Sequence, residues 1–148
     1  MLHQSEIDLI RKFYSNKKTK FANNQSYYHN KQLWGEIYGF ELKDPYTEND
    51  VNAFEKMNGI LLDNNLKMYL TKISREIFVS DYPCEFDFDV VYDDDGQYIT
   101  IGEDGCSFGY VMYVTEKNKG KIYSYDDENK YFKYNTFKEF IMEEINKN

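Results

Sequence analysis

The sequence predicts an α+β domain: a mostly antiparallel sheet of four to six strands, with N-terminal helices and a C-terminal helix packed on it. Three observations carry that expectation. Glu85–Tyr92 alternates apolar and charged residues, the pattern of a strand with one buried and one wet face. Capping signals at Ser5, Thr47 and Thr136 each precede apolar residues at helical spacing. Helical patterns come first, closely spaced strand patterns follow, and one helical pattern closes the chain, which is an α+β order with helices on one sheet face.

Element by element, Ser5-Glu6-Ile7-Asp8 leads Ile7, Leu9, Ile10, Phe13 and Tyr14 and predicts a helix over residues 5–15. The polar, Asn-rich stretch Lys17–Asn30 reads as a loop. Leu33, Trp34, Ile37 and Tyr38 suggest a short helix weakened by Gly35 and Gly39, and Pro45 ends that region. Thr47-Glu48-Asn49-Asp50 is a capping box before Val51 and Phe54, and Asn58-Gly59 is the matching stop. Ile60-Leu61-Leu62 links to a helix whose buried stripe is Leu66, Tyr69, Leu70 and Ile73; together the two form a helical hairpin.

The strands come next. Phe86, Phe88, Val90 and Tyr92 are assigned to the inner face of the first, and Glu85, Asp87 and Asp89 to its outer face. Asp93-Asp94-Asp95-Gly96 turns the chain into Gln97–Glu103. Gly109–Thr115 is continuously apolar and is therefore expected at the centre of the sheet. Asn118-Lys119-Gly120 turns into Lys121–Tyr125, Asp126–Lys130 turns again, and Tyr131–Tyr134 is an edge strand. Thr136 caps a closing helix carrying Phe137, Phe140, Ile141 and Ile145.

The chain has 148 residues and a formal net charge of −8. A single domain of this size buries roughly 70% of its unfolded surface, so no second domain, disulfide or metal is needed for a core. The charge is unevenly placed. Residues 81–129 carry 13 acidic and 3 basic side chains, whereas the flanking parts are near neutral. That balance argues against nucleic acid as a partner, and no apolar run approaches a membrane span. The N-terminus lacks the apolar core of a secretory signal, and two cysteines do not make a disulfide framework. A soluble, cytoplasmic, acidic domain is expected, monomeric by default.

Three stretches resemble the SUKH superfamily. Thr47–Ser74 is similar to its opening, in which a capped helix with a Phe-Glu pair leads through Asn-Gly-Ile to a helix ending in Leu-x-x-Ser. Ile99–Tyr125 resembles its core, where Ile-Gly precedes an acidic residue and Gly-Cys, and an apolar strand and a Tyr-bearing strand follow. Thr136–Ile141 looks like its closing Thr-Phe-x-x-Phe-Ile helix. The resemblance covers residues 47–145 of one domain spanning 1–148, with 1–46 a weakly matching N-terminal helical extension. Two positions depart from the pattern. Asp63 stands where Leu-Pro is usual, which predicts a looser helix start, and the turn around Phe108 lacks a second Gly.

The resemblance implies a non-catalytic binding protein. Its bacterial members are immunity proteins that neutralise a co-produced toxin, often a nuclease; a fungal branch regulates cell-wall glucan synthesis, which supplies the alternative of a scaffold or regulatory module. A nuclease must be basic where it grips phosphate, so a carboxylate-rich inhibitor surface would steer and orient docking. The candidate partner-binding residues are Glu85, Asp87, Asp89, Asp93, Asp94, Asp95, Glu103, Asp104, Asp126, Asp127 and Glu128, with Trp34 at the rim. No cofactor, metal site or catalytic residue is expected. Cys106 sits at a turn as a nucleophile would, but His3 and His29, the possible bases, lie far away in the front of the chain. The Asp93–Asp95 turn lacks the alternating ligands and distal Glu of a calcium loop.

Overall fold

The computed structural model describes residues 1–23, 43–79, 82–103 and 108–146. The short helix expected around Leu33–Tyr38, together with Trp34, His29, Asp104 and Cys106, lies outside them.

Helix α1 spans Gln4–Asn23, longer than expected at both ends. Its start is stapled at His3 rather than Ser5: the Glu6 carboxylate accepts the His3 backbone N–H at 3.0 Å, and the His3 carbonyl accepts from Glu6 and Ile7. The Lys-rich stretch expected to be a loop continues the helix as far as Asn23, because Lys and Ala are good helix formers and polarity alone does not end a helix. Leu2, Ile7, Ile10 and Tyr14 are buried, while Leu9 is exposed.

The helical hairpin forms as expected. Helix α2, Glu48–Asn58, has the full capping box: Thr47 Oγ1 accepts the Asp50 N–H while the Asp50 carboxylate accepts the Thr47 N–H, both at 3.1 Å. Gly59 ends it at φ 63°, where a side chain would be strained. Helix α3, Asn64–Lys72, starts on Asp63, whose carboxylate accepts from Asn65 and Leu66 at 2.9 and 3.1 Å. Asp63 is thus an N-cap, and the looser start expected there does not occur. Glu55 explains the Phe-Glu pair. It is buried, accepts the Leu62 N–H at 2.8 Å and pairs with Lys67 Nζ at 2.8 Å, which fixes the link between the helices.

The sheet region differs from expectation at its entry. Strands β1, Glu76–Val79, and β2, Tyr82–Glu85, form a separate antiparallel pair in which Glu76 faces Glu85. Their four-residue length left no readable alternation. The single strand expected over Glu85–Tyr92 is broken. Beyond Glu85 the chain is irregular until β3, Val91–Asp93. Asp87 accepts the Asp89 N–H at 3.0 Å, and Phe88 takes φ 56°, so a side-chain turn replaces the ladder. The burial alternation nevertheless survives for Phe86 and Phe88. Both rings reach Phe54 on α2, at centroid distances of 6.1 and 5.1 Å, and Tyr46 meets Phe88 at 4.5 Å. Tyr92, expected inside, is 76% exposed because β3 is an edge strand.

From there the meander follows the sequence. Strands β4 (Gly96–Glu103), β5 (Gly109–Tyr113), β6 (Ile122–Tyr125) and β7 (Lys130–Tyr134) join β3 in the antiparallel order β3-β4-β5-β6-β7. Strand β5 is central and all five of its residues are buried. Helix α4, Phe137–Asn146, is capped by Thr136, whose hydroxyl accepts the Glu139 N–H. One core unites Ile10, Val51, Leu66, Leu70, Phe137 and Ile141 of the helices with Ile99, Ile101, Tyr110, Met112 and Ile122 of one sheet face.

Gly109 sits at a close approach of two neighbouring strands. A Cβ there would lie 2.6 Å from the Gly102 carbonyl oxygen and 2.7 Å from the Tyr125 hydroxyl. Gly109→Ala is expected to destabilise the chain by about 2 kcal/mol, read from urea unfolding; an unchanged midpoint would contradict this packing.

Candidate functional site

Residues two apart on a strand share a face. Tyr110 and Met112 belong to the helix-covered core, so Val111 and Tyr113 point the other way. The pairing register carries Val91, Tyr98, Tyr123, Tyr125, Lys130 and Phe132 onto that second face. Among the described residues no helix covers it. Its rings form a row across four strands: Tyr98 to Tyr113 at 5.7 Å, Tyr113 to Tyr123 at 5.5 Å and Tyr123 to Phe132 at 5.6 Å, each edge to face.

A single cation lies on this row among the described residues. Lys130 Nζ is 4.8 Å from the Tyr113 centroid and 5.2 Å from that of Tyr123. It donates to the Tyr113 hydroxyl, to Asp95 at 2.8 Å and to Asp93 at 3.3 Å, while the Tyr113 hydroxyl donates to Asp93 at 2.6 Å. Strands β3 and β7 are the two edges of the sheet, so the sheet is coiled enough for one ammonium to bind both across the open face. Burial would lower the Lys130 pKa, but the bonds to Asp95, Tyr113 and Asp93 outweigh it and raise it. Burial and the Asp93 bond push the Tyr113 phenol up to about 12. For Asp93, burial is outweighed by bonds from Tyr113, the Asp95 N–H and Lys130, and its pKa falls.

The predicted acidic residues divide between the two ends of the sheet. Asp93, Asp94 and Asp95 lie at the β3–β4 turn, where Asp93 also accepts the Asp95 N–H. That end carries the β5–β6 connection with Lys117, Lys119 and Lys121, whose Asn118 donates to the Asp95 carbonyl. The opposite end is more uniformly acidic. Glu103 pairs with Gly109, which pairs with Tyr125, and Asp126–Glu128 follow directly. Glu103 and that turn are thus two strand spacings apart, roughly 10 Å.

Glu85 and Asp87 join this end through β2, which packs against β4. Cys84 sits between them and Glu103; burial, then Glu103 and Asp87, push its thiol up to about 11. Arg75 lies 3.8 Å from Glu85. Asp126 accepts the Glu128 and Asn129 N–H groups, which lower its pKa. Asp89, Asp94, Glu103, Asp127 and Glu128 make no side-chain hydrogen bond or ion pair among the described residues. The candidates therefore do not form one face. Trp34 and Asp104 are outside the described residues.

One acid went unrecognised in the sequence. Glu76 is 4% exposed, lies opposite Glu85, and has a carboxylate oxygen without a hydrogen-bond partner. Burial raises its pKa and Glu85 adds to the rise, against the pull of Lys43. Among the described residues no group of three His, Cys, Asp or Glu side chains is placed to hold a metal ion, and no helix is long and apolar enough to cross a membrane.

A family model, that of the SMI1 / KNR4 family (SUKH-1), matches residues 45–143. The match takes in both helices of the hairpin, the whole meander and most of α4. No curated protein and no solved structure matches the chain.

Three outcomes follow from the charges. Glu76 keeps its proton to higher pH folded than unfolded, so the unfolded state alone releases it as pH rises above about 4. Stability is lost over that interval and stays lower above it. Glu76→Gln should therefore be more stable than wild type at pH 7, with the gain shrinking towards pH 4 in urea unfolding; a gain independent of pH would contradict the assignment. Lys130→Met should cost about 2 kcal/mol, because it removes bonds to charged partners that join the sheet edges. Asp95→Asn, at an exposed partner, should cost less than about 1 kcal/mol.

Proposed function

The chain belongs to the SMI1 / KNR4 family (SUKH-1), and from that premise we propose that it is a non-catalytic immunity protein. It binds and neutralises a basic toxin acting in the cytoplasm, a nuclease being the class whose phosphate-gripping surface fits best. The observation that carries this reading is the acidic end of the sheet: Glu85, Asp87, Glu103 and Asp126–Glu128, of which only Glu85 pairs with a cation among the described residues. Exposed carboxylates of one sign accelerate encounter with a basic protein and orient it, although each rim charge adds little affinity.

Stoichiometric binding also suits the side chains present. The Cys84 thiol, with its pKa near 11, is protonated at neutral pH and is a weak nucleophile. His3, the one histidine among the described residues, is engaged through its backbone at the start of α1.

Co-expression with a candidate basic toxin should restore growth. Reversing Glu103, Asp127 and Glu128 together to Lys should slow association at least 10-fold at low salt and flatten its salt dependence. Asp94→Lys should change the rate far less, since that end of the sheet already carries lysines. Failure to protect against any toxin encoded beside this chain would overturn the immunity reading and favour the regulatory module. Protection with an unchanged association rate would overturn the role of the acidic end.

A further inference from the structure

We propose that the second face of the five-stranded sheet, which no described helix covers, is where the partner docks, and that the accessible rings of its aromatic row, Tyr98, Tyr123 and Phe132, receive arginine side chains from a basic protein. This rests on the protein-binding reading above and deepens it by naming the surface and the chemistry of the contact.

The row Tyr98, Tyr113, Tyr123 and Phe132 runs across β4 to β7 with ring centroids 5.5–5.7 Å apart. Phe132 is 49% exposed and Val91, at the β3 edge of the same face, is 39% exposed; Tyr98 and Tyr123 are partly exposed. Among the described residues the row is therefore accessible at Tyr98, Tyr123 and Phe132, while Tyr113 at its centre is 1% exposed and supports the other rings from below. It already holds a cation, since Lys130 lies over Tyr113 and Tyr123 with Asp93 and Asp95 as its counter-ions. One positive charge against two carboxylates leaves the face negative, and the Asp126–Glu128 turn adjoins it where β6 passes to β7.

Charge complementarity selects the occupant. An acidic partner is repelled, and so is a second copy of this chain, whose net charge is −8. A basic partner meets π faces and carboxylates together. Arginine suits that pairing better than lysine: its planar, weakly hydrated guanidinium stacks on rings while its N–H groups bridge to carboxylates.

The test uses the full chain with nona-arginine and nona-lysine peptides as probes, at low salt. Binding is measured by titration and mapped by backbone amide shifts. Nona-arginine should bind about 5-fold more tightly than nona-lysine and should shift the amides of Tyr98, Tyr113, Tyr123 and Phe132. Tyr123→Leu and Phe132→Leu, which keep apolar bulk but remove the ring, should abolish that preference while leaving nona-lysine binding unchanged. If either variant fails to fold, the wild-type preference and its shift map decide the matter. Equal binding of the two peptides, or shifts confined to Glu103 and Asp126–Glu128, would overturn the open-face proposal and leave the acidic end standing. Self-association through the face, seen as concentration-dependent shifts of the same amides, would also overturn it. Loss of protection in the toxin co-expression experiment would instead strike the immunity reading.

Discussion

Strand β5 is buried on both faces, yet the described helices cover only one of them. Much of the structure answers that constraint. On the helix side Tyr110 and Met112 enter the common core. On the other side Val111 and Tyr113 must be kept dry by the neighbouring strands. Tyr125 lies against Gly109, where no side chain would fit, an aromatic covering a strand glycine. Tyr98 and Tyr123 flank Tyr113 edge to face, and the Lys130 stem extends over the rings. The 15 tyrosines of the chain therefore include a set with a clear physical task. Their rings exclude water from the middle of the sheet, while their hydroxyls tolerate the solvent side.

The same requirement explains why part of the acidic excess is internal to the fold. Asp93 and Asp95 belong to the stretch of 13 acids against 3 bases, but their charge faces Lys130, which lies just beyond that stretch on β7. An ammonium over two tyrosine rings is partly desolvated, and two carboxylates with a phenol oxygen compensate it. Asp87, Asp93 and Asp126 likewise each accept a backbone N–H two residues ahead, which is how a short carboxylate closes a turn. Net charge per segment therefore overstates the surface available to a partner. Among the described residues, the candidate acids whose side chains remain without a partner are Asp89, Asp94, Glu103, Asp127 and Glu128, and three of these lie at the acidic end of the sheet.

The legible parts of the sequence were those where a local signal and the tertiary structure agree. The Thr47–Asp50 box, the Gly59 stop and the Thr136 cap need only neighbouring residues to form. The uninterrupted apolar run at Gly109–Tyr113 reports burial on both faces directly. The failures share a cause. Phe86 and Phe88 look like one face of a strand because both rings are buried, but they meet Phe54 through a turn made by Asp87 and a positive φ at Phe88. Alternation records burial and not the backbone that achieves it. The β1–β2 pair was too short to show a period, and the Lys130 clasp joins residues 35 and 37 apart in sequence. The division of the acids between two ends follows from strand order, which no local pattern encodes.

Acids and aromatics on adjoining surfaces would act on different steps of one association. Carboxylates at the sheet end act at a range set by the screening length, about 8 Å at physiological salt, so they govern encounter and orientation. Ring contacts operate only once water has left the interface, so they govern how long a complex lasts. A carboxylate surface alone would attract basic proteins with little discrimination, and a hydrophobic face alone would invite self-association. Rings placed beside the charge would restrict lasting contact to partners that match both. On the docking proposed above, Lys130 would add to the same selectivity, because a cationic group would have to fit around it or compete with its three bonds. Weak basic contacts would then fail at the rings even where the charge had drawn them in.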